Sequence, residues 1–161
     1  MSEILARYII AYGYMAIFCI VLIQELGMPG LPNALVLFYF GYISNRAGLN
    51  YVIVILLAVI AEITGSLVLF FLFYRGTPFL TRIKPAWLRL PSKKIALLMQ
   101  KIALYNERNM FLAKLTPFVR SYLPIVAGLL QVNPVLFARI VLISAFIWTG
   151  AWITAGWWLH F

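Results

Sequence analysis

Three long apolar runs dominate the pattern of hydrophobic and polar positions along this chain of 161 residues. Residues 8–23 are almost uninterrupted by polar side chains, residues 52–74 hold a single charge, and residues 135–159 hold only Arg139. Each of the last two runs exceeds the roughly 20 residues that an α-helix needs to cross a bilayer core. The pattern therefore predicts an all-α protein that crosses a membrane more than once.

A further hydrophobic segment, residues 111–131, is interrupted by charges and helix breakers. It carries Lys114, Arg120, Pro117 and Pro124 within an otherwise apolar sequence. In hydrocarbon every backbone N–H and C=O needs a partner, so broken helices persist only inside protein or beside a water-filled cavity. We therefore expect this segment to be a re-entrant element that lines a polar pocket.

The two halves of the chain show a similar order of elements. In the first half an apolar helix ends near Glu25, a stretch rich in Gly and Pro follows, and a second apolar stretch leads to a full span. In the second half a helix is expected to end near Arg108, residues 114–124 form the break, and the full span begins near Val135. This order predicts an inverted pair of re-entrant hairpins that face each other across one cavity.

The whole chain is accordingly interpreted as a single membrane domain. Its predicted parts are a first half at about 8–75 with a re-entrant element at 26–45, a basic amphipathic segment at 76–108, and a second half at about 109–160 with a re-entrant element at 111–131. The predicted re-entrant breaks lie at Pro29, Pro32, Pro117, Pro124 and Gly128.

The spacing of prolines and glycines is consistent with an internal duplication. Pro29 and Pro117 are 117 − 29 = 88 residues apart, and Gly41 and Gly128 are 128 − 41 = 87 residues apart. Hydrophobic segments interrupted by Gly and Pro at corresponding positions of two halves indicate a transporter binding site near the middle of the membrane.

Composition and charge agree with a membrane protein and orient it. Hydrophobic residues make up 65% of the chain and the mean hydropathy is +0.99. The net charge of +9 does not indicate a nucleic-acid partner, because eight of the thirteen basic residues lie within residues 75–108. Short basic segments between membrane spans stay on the inner side, so we expect this segment to be cytoplasmic in a multi-pass protein of a bacterial inner membrane.

Apolar residues recur at three- and four-residue steps within the basic segment. They are Ile95, Leu98, Met99, Ile102 and Tyr105. This spacing predicts an amphipathic helix, for which two environments remain open. It either lies at the level of the lipid headgroups or packs on the rest of the protein as a linker helix.

Four ionisable residues are expected at membrane depth. They are Glu25, Glu62, Lys114 and Arg120. An unpaired Arg, Lys or Asp at the centre of a membrane helix costs roughly 2.5–3.5 kcal/mol on insertion scales, so these side chains should face inward and pair. A purely structural ion pair is the alternative to a functional site.

The two cations suit a phosphate ligand. Arg120 offers a planar guanidinium that matches phosphate oxygens in a bidentate manner, and Lys114 offers a second positive charge. Six residues separate them, so they can converge only if the helix is broken between them. Glu25 and Glu62 are candidate coupling or gating groups, and Glu25 is expected to neutralise one cation when no ligand is bound. A purely structural role for Glu62, as the partner of one basic residue, is an equally open interpretation.

Metal and cofactor sites are not indicated by the sequence. The chain has one Cys, one His and no Asp, namely Cys19 and His160, and this set supports neither a metal site nor a His-based catalytic triad. We therefore expect no cofactor.

One motif resembles that of a known family. The sequence Lys114-Leu-Thr-Pro117-Phe-Val-Arg120, followed by Pro124, Ala127-Gly128, Phe137 and Trp148, resembles the DedA family, also called the VTT or SNARE-associated group. The usual family pattern is Arg-Phe-x-Pro-x-x-Arg, then Pro, Ala-Gly, and a later Phe and Trp. The first re-entrant motif of the family is similar to the sequence around Glu25, Gly27, Pro29, Pro32 and Gly41.

The resemblance implies a lipid transporter fold with two opposed re-entrant hairpins. Family members are linked to recycling of undecaprenyl phosphate and to movement of phospholipids such as phosphatidylethanolamine. By motif position, Glu25 matches the essential acidic residue of the family and Arg120 its second essential arginine. Lys114 replaces the first arginine, which keeps the charge but loses the bidentate geometry.

Two further positions depart from the family pattern. Ala34 and Ser66 stand where acidic residues are common. These two replacements weaken the expectation of proton coupling, and Glu62, one turn before Ser66, is the candidate to substitute for a lost acid.

The sequence therefore predicts a flippase or scramblase that moves a phosphate-bearing lipid between leaflets, and not an enzyme. Membrane lipids are the expected partners, and a homodimer is compatible with the last span. The alternatives are a proton- or sodium-coupled small-ion transporter and a membrane-embedded lipid-modifying enzyme. The latter would need a nucleophile and base such as Ser121 with Glu25.

Overall fold

The computed structural model describes residues 2–26, 32–80, 107–117 and 119–159. The regular elements of these residues are six α-helices and no strand, which confirms the all-α prediction. The helices are α1 (Ser2–Glu25), α2 (Asn33–Arg46), α3 (Tyr51–Leu80), α4 (Glu107–Leu115), α5 (Val119–Leu129) and α6 (Pro134–Trp158).

Two of the described helices have the length and composition to cross a membrane. The segment Tyr51–Arg75 within α3 has a mean hydropathy of 2.7, and α6 has one of 1.8. They coincide with the predicted runs at 52–74 and 135–159. The 11 residues of α5 reach only about 16 Å at 1.5 Å per residue, roughly half of a hydrocarbon core.

Both long helices begin with an asparagine cap. The Oδ1 atom of Asn50 accepts hydrogen bonds from the backbone N–H groups of Val52 and Ile53, at 3.0 and 3.3 Å. Asn133 caps the N–H groups of Val135 and Leu136 in the same way, at 2.9 and 3.4 Å. Such caps satisfy backbone donors that have no partner within the helix.

The short helices pack on the long ones at glycines. Gly41 of α2 lies against the backbone carbonyl of Ile153 in α6. A Cβ atom on Gly128 of α5 would lie 2.6 Å from the carbonyl oxygen of Phe70 in α3. Small residues permit such close helix contact, so α2 packs on α6 and α5 packs on α3 with little space between their backbones.

Two apolar clusters lie toward opposite ends of the long helices. One contains Val54 near the start of α3 and Ile153 near the end of α6. The other contains Phe70 in the later part of α3 and Phe137 at the start of α6, with ring centroids 4.4 Å apart. The two long helices therefore run in opposite directions, and the middle of each lies between the apolar clusters.

The break in the second half is shorter than predicted. Helix α4 runs from Glu107 through Lys114 to Leu115, so the expected break over residues 114–124 is wrong in its extent. The helix that was expected to end near Arg108 lies mostly within residues 81–106, outside the described residues. Only residues 116–118 separate α4 from α5, and Pro117 lies there. The predicted breaks at Pro124 and Gly128 are also wrong, because both residues lie inside α5.

Both residues lie in the packed interior of the protein. A proline removes one backbone hydrogen bond from a helix, and neighbouring helices can compensate for that loss within a membrane protein. Pro124 and Gly128 are both buried, and Gly128 serves the close contact with α3.

Some predicted features fall outside the described residues. They are the break at Pro29, within residues 27–31, and most of the basic amphipathic segment, residues 81–106. Pro32 lies directly before α2. The re-entrant paths, the inverted repeat and the domain boundaries remain predictions.

Candidate functional site

Six polar side chains are buried at the middle of the helical packing. They are Glu25, Glu62, Ser66, Lys114, Arg120 and Thr149, each at most 3% exposed. We call this group the polar cluster. Helices α1, α3, α4, α5 and α6 each contribute to it. It brings together all four ionisable residues that the sequence predicted at membrane depth.

Glu25 contacts both cations through separate oxygens. Its Oε2 atom lies 3.3 Å from Nζ of Lys114, and its Oε1 atom lies 3.2 Å from Nη2 of Arg120. Glu25 was expected to pair with one cation, and in the structure its carboxylate bridges both. Each contact joins a charged donor to a charged acceptor, and such hydrogen bonds are generally stronger than neutral ones.

Ser66 completes the contacts around Glu25. Its hydroxyl donates to Oε2 of Glu25 at 2.9 Å and accepts from Nζ of Lys114 at 2.8 Å. The neighbouring Gly65 makes this arrangement possible, because a Cβ atom there would lie 2.6 Å from Cβ of Glu25. The end of α1 can therefore approach α3 closely enough to bring the carboxylate into the cluster.

Glu62 is held between Arg120 and α6. Its Oε1 atom accepts a hydrogen bond from Nη2 of Arg120, and its Oε2 atom accepts one from the hydroxyl of Thr149. Both carboxylates therefore pair with the same guanidinium nitrogen, but only Glu25 also contacts Lys114.

Arg120 retains unused donors despite its burial. A guanidinium has five N–H donors, of which Nη2 supplies two. The Nε and Nη1 atoms have no hydrogen-bond partner among the residues that the structure describes. Buried polar groups are normally hydrogen-bonded, so unused donors at a 2% exposed side chain need an explanation. A ligand with several acceptor oxygens would provide one.

Trp148 covers one face of the Arg120 guanidinium. The Cζ atom of Arg120 lies 4.8 Å from the ring centroid, within the range of a cation–π interaction. The ring nitrogen of Trp148 donates to Oδ1 of Asn33 at 3.2 Å, and Asn33 contacts Gln24 at 3.5 Å. This chain of contacts connects the start of α2 and the end of α1 with Arg120.

The interruption between α4 and α5 allows the two cations to converge. Six residues along a continuous α-helix, at 3.6 residues per turn, would leave Lys114 and Arg120 on different faces. With residues 116–118 between the helices, both side chains reach Glu25. The predicted convergence is thus present, with a shorter break than the sequence suggested.

The charges within the polar cluster balance. Lys114 and Arg120 carry two positive charges, which Glu25 and Glu62 balance when both carboxylates are ionised. Removing one partner from a buried ion pair leaves an uncompensated charge and costs about 3–5 kcal/mol. The cluster is therefore sensitive to any change in charge, whether by mutation or by ligand binding.

Sequence reasoning missed Thr149 and Asn33 and assigned no contact to Trp148. A signal for Thr149 exists, because each long helix carries a hydroxyl residue at the same distance from its asparagine cap. Ser66 follows Asn50 by 66 − 50 = 16 residues, and Thr149 follows Asn133 by 149 − 133 = 16 residues. Among the described residues, no group of three His, Cys, Asp or Glu side chains could hold a metal ion.

Comparison with known proteins gives a family and several relatives. The VTT domain matches residues 30–158. The chain is 28% identical to undecaprenyl phosphate transporter A of Staphylococcus aureus, over 97% of this chain and 78% of that protein. It is 25% identical to the uncharacterized membrane protein YbfM of Bacillus subtilis, over 96% and 94% of the two chains. An uncharacterized membrane protein of Haemophilus influenzae is 26% identical, over 96% and 74%. No solved structure matches.

Proposed function

The chain belongs to the VTT domain family of membrane proteins, as its motifs predicted, and from this premise we propose that it moves a phosphate-bearing lipid between the leaflets of a membrane. The observation that carries the proposal is the convergence of Lys114 and Arg120 on one buried carboxylate. Undecaprenyl phosphate is the first substrate to test, because a relative that shares 28% identity carries the name of a transporter of that lipid. Phosphatidylethanolamine is the second.

The polar cluster supports headgroup binding at the middle of the protein. Arginine and lysine both bind phosphate, the first through a planar fork and the second as a point charge. The phosphate would contact Lys114 and Arg120 while the acyl or prenyl chain stays in the bilayer. Scrambling needs only such a polar path, whereas uphill movement needs an ion gradient, for which Glu25 and Glu62 are the coupling candidates.

The helix packing supports the inverted repeat that such a mechanism would use. Gly41 belongs to the short helix of the first half and contacts the long helix of the second. Gly128 belongs to the short helix of the second half and contacts the long helix of the first. Each half thus packs on the other in the same way. In this proposal the two re-entrant elements meet at the polar cluster and alternately open it to the two sides.

The alternatives receive less support. Buried Glu25 and Glu62 would suit a proton or sodium transporter, but the two cations beside them oppose a path for cations. For an enzyme, Ser66 is the hydroxyl that contacts Glu25 and Lys114. Lys114 donates hydrogen bonds to Ser66 and Glu25, as an ammonium group does, and an ammonium cannot act as a base. The Glu25 carboxylate accepts from Ser66, but it is paired with two cations, which stabilise its charged form and make it a weak base for a serine nucleophile.

The proposal is tested by lipid movement in liposomes that contain the purified protein. Labelled undecaprenyl phosphate, phosphatidylethanolamine and a glycolipid without phosphate would be compared with protein-free liposomes. The proposal predicts faster movement of at least one phosphate-bearing lipid and no effect on the glycolipid. Equal rates with and without protein for both phosphate lipids would contradict it, and proton flux in the same vesicles would then support the small-ion alternative.

A further inference from the structure

The two carboxylates of the polar cluster have different surroundings. Glu62 is fixed on both sides, by Arg120 and by the hydroxyl of Thr149. Glu25 is the last residue of α1, and its two oxygens contact Arg120 and Lys114 separately. Glu62 therefore anchors one cation, whereas Glu25 joins the two.

The donors around Glu25 form a site for an oxyanion. Nζ of Lys114, the hydroxyl of Ser66 and Nη2 of Arg120 all donate to its two oxygens, at 3.3, 2.9 and 3.2 Å. A phosphate group likewise presents several oxygens on one central atom, so it can accept from the same three donors. The unused Nε and Nη1 donors of Arg120 could bind further phosphate oxygens.

We propose that Glu25 occupies the phosphate subsite as an internal anion, and that a phosphate group binds by displacing the Glu25 carboxylate from Lys114 and Arg120. Glu62 and Thr149 keep Arg120 in place during the exchange. The inference rests on the proposed function in one respect, which is that the phosphate is expected to belong to a lipid. The shared chemistry is a phosphate anion, either on a lipid or free in solution.

Displacement and simple charge balance predict different outcomes for the two glutamates. Neutralising either one adds one positive charge to the cluster, so charge balance alone predicts that both changes strengthen anion binding. Displacement predicts stronger binding only when Glu25 is neutralised, because its carboxylate competes directly with the phosphate. In Glu62→Gln the competing carboxylate remains and Arg120 loses its anchor.

The test is the binding of decyl phosphate and inorganic phosphate to purified protein in detergent, measured by calorimetry. We expect Glu25→Gln to bind decyl phosphate at least about tenfold more tightly than the wild type, which corresponds to 1.4 kcal/mol. Glu62→Gln should bind no more tightly than the wild type. Glu107→Gln, which changes an exposed glutamate in α4, is the matched control and should leave affinity unchanged.

Two results would overturn the displacement model. One is unchanged or weaker phosphate binding in Glu25→Gln, and the other is an equal gain in affinity in Glu25→Gln and Glu62→Gln.

If Glu25→Gln does not fold, Glu25→Asp replaces it in the test. That change keeps the charge but shortens the side chain, and it should still tighten binding severalfold. A gain for decyl phosphate alone assigns the subsite to a lipid headgroup, and a gain for both ligands assigns it to the phosphate anion itself.

The two proposals fail separately. If the wild type moves a phosphate lipid but Glu25→Gln gains no affinity, the displacement is wrong and the transport function stands. If Glu25→Gln gains affinity but the wild type moves no lipid, the phosphate subsite stands and the transport function is wrong.

Discussion

Gly65→Ala places a single methyl group between α1 and α3 at the level of the polar cluster. The new Cβ atom would lie 2.6 Å from Cβ of Glu25, whereas ordinary contact begins near 3.4 Å, so the helices must separate by about 0.8 Å (3.4 − 2.6). The hydrogen bond from Ser66 to Glu25 is 2.9 Å long, and such a displacement would lengthen it beyond bonding distance.

Gly150→Ala is the matched control, because a Cβ atom at Gly150 meets no atom within 4 Å. Both changes gain about the same helix propensity, up to roughly 1 kcal/mol, so this gain cancels in the comparison. Overpacking costs about 1–3 kcal/mol, and Gly65→Ala should therefore be less stable than Gly150→Ala by about that amount.

Thermal unfolding in detergent and lipid movement in liposomes measure the two effects. A misplacement of nearly 1 Å at a binding site should slow transport by about tenfold or more in Gly65→Ala. Gly150→Ala should transport like the wild type. If both variants match the wild type in stability and rate, the close approach of α1 and α3 does not position Glu25, and the reasoning is refuted.

Three further predictions concern Glu62 and Trp148, which contact Arg120, and Thr149, which holds Glu62. Thr149→Val should lower the free energy of unfolding by about 1–3 kcal/mol, because it leaves a buried carboxylate oxygen unpaired, whereas Thr149→Ser should retain most of the wild-type stability. Unfolding by denaturant measures both, and equal losses in the two variants would contradict the prediction. Trp148→Phe keeps an aromatic face over Arg120 but loses the bond to Asn33, so its transport rate should fall less than that of Trp148→Leu. Glu62→Leu should cost about 3–5 kcal/mol, and adding Arg120→Met should restore part of this loss; a double variant that is less stable than either single variant would contradict the pairing.

The long spans could be predicted from sequence because their signal is strong and local. The apolar runs at 52–74 and 135–159 correspond to α3 and α6, since length and hydropathy alone identify a helix that is long and apolar enough to cross a membrane. The ends of the interrupted segment were harder to predict. Proline and glycine usually break helices, but here Pro124 and Gly128 are buried inside α5 and Gly128 lies directly against α3, and a sequence pattern does not report such packing.

The four charged residues of the polar cluster were predicted from the sequence, but the contacts between them were not. Charge at membrane depth identified Glu25, Glu62, Lys114 and Arg120, because each needs a partner there. Which acid meets which cation depends on how α1 approaches α3 through Gly65, and that approach is a tertiary contact. The position of the uncharged Thr149 beside Glu62 is likewise a consequence of α6 packing along α3.

The transbilayer movement of undecaprenyl phosphate by Arg120→Gln tests the central claim most directly. The matched control is Arg139→Gln, which removes an exposed arginine from α6, and gel filtration must show that both variants are folded. If Arg120 binds the phosphate, Arg120→Gln should move the lipid no faster than protein-free liposomes, while Arg139→Gln should match the wild type. A folded Arg120→Gln variant that moves undecaprenyl phosphate at the wild-type rate would contradict the account.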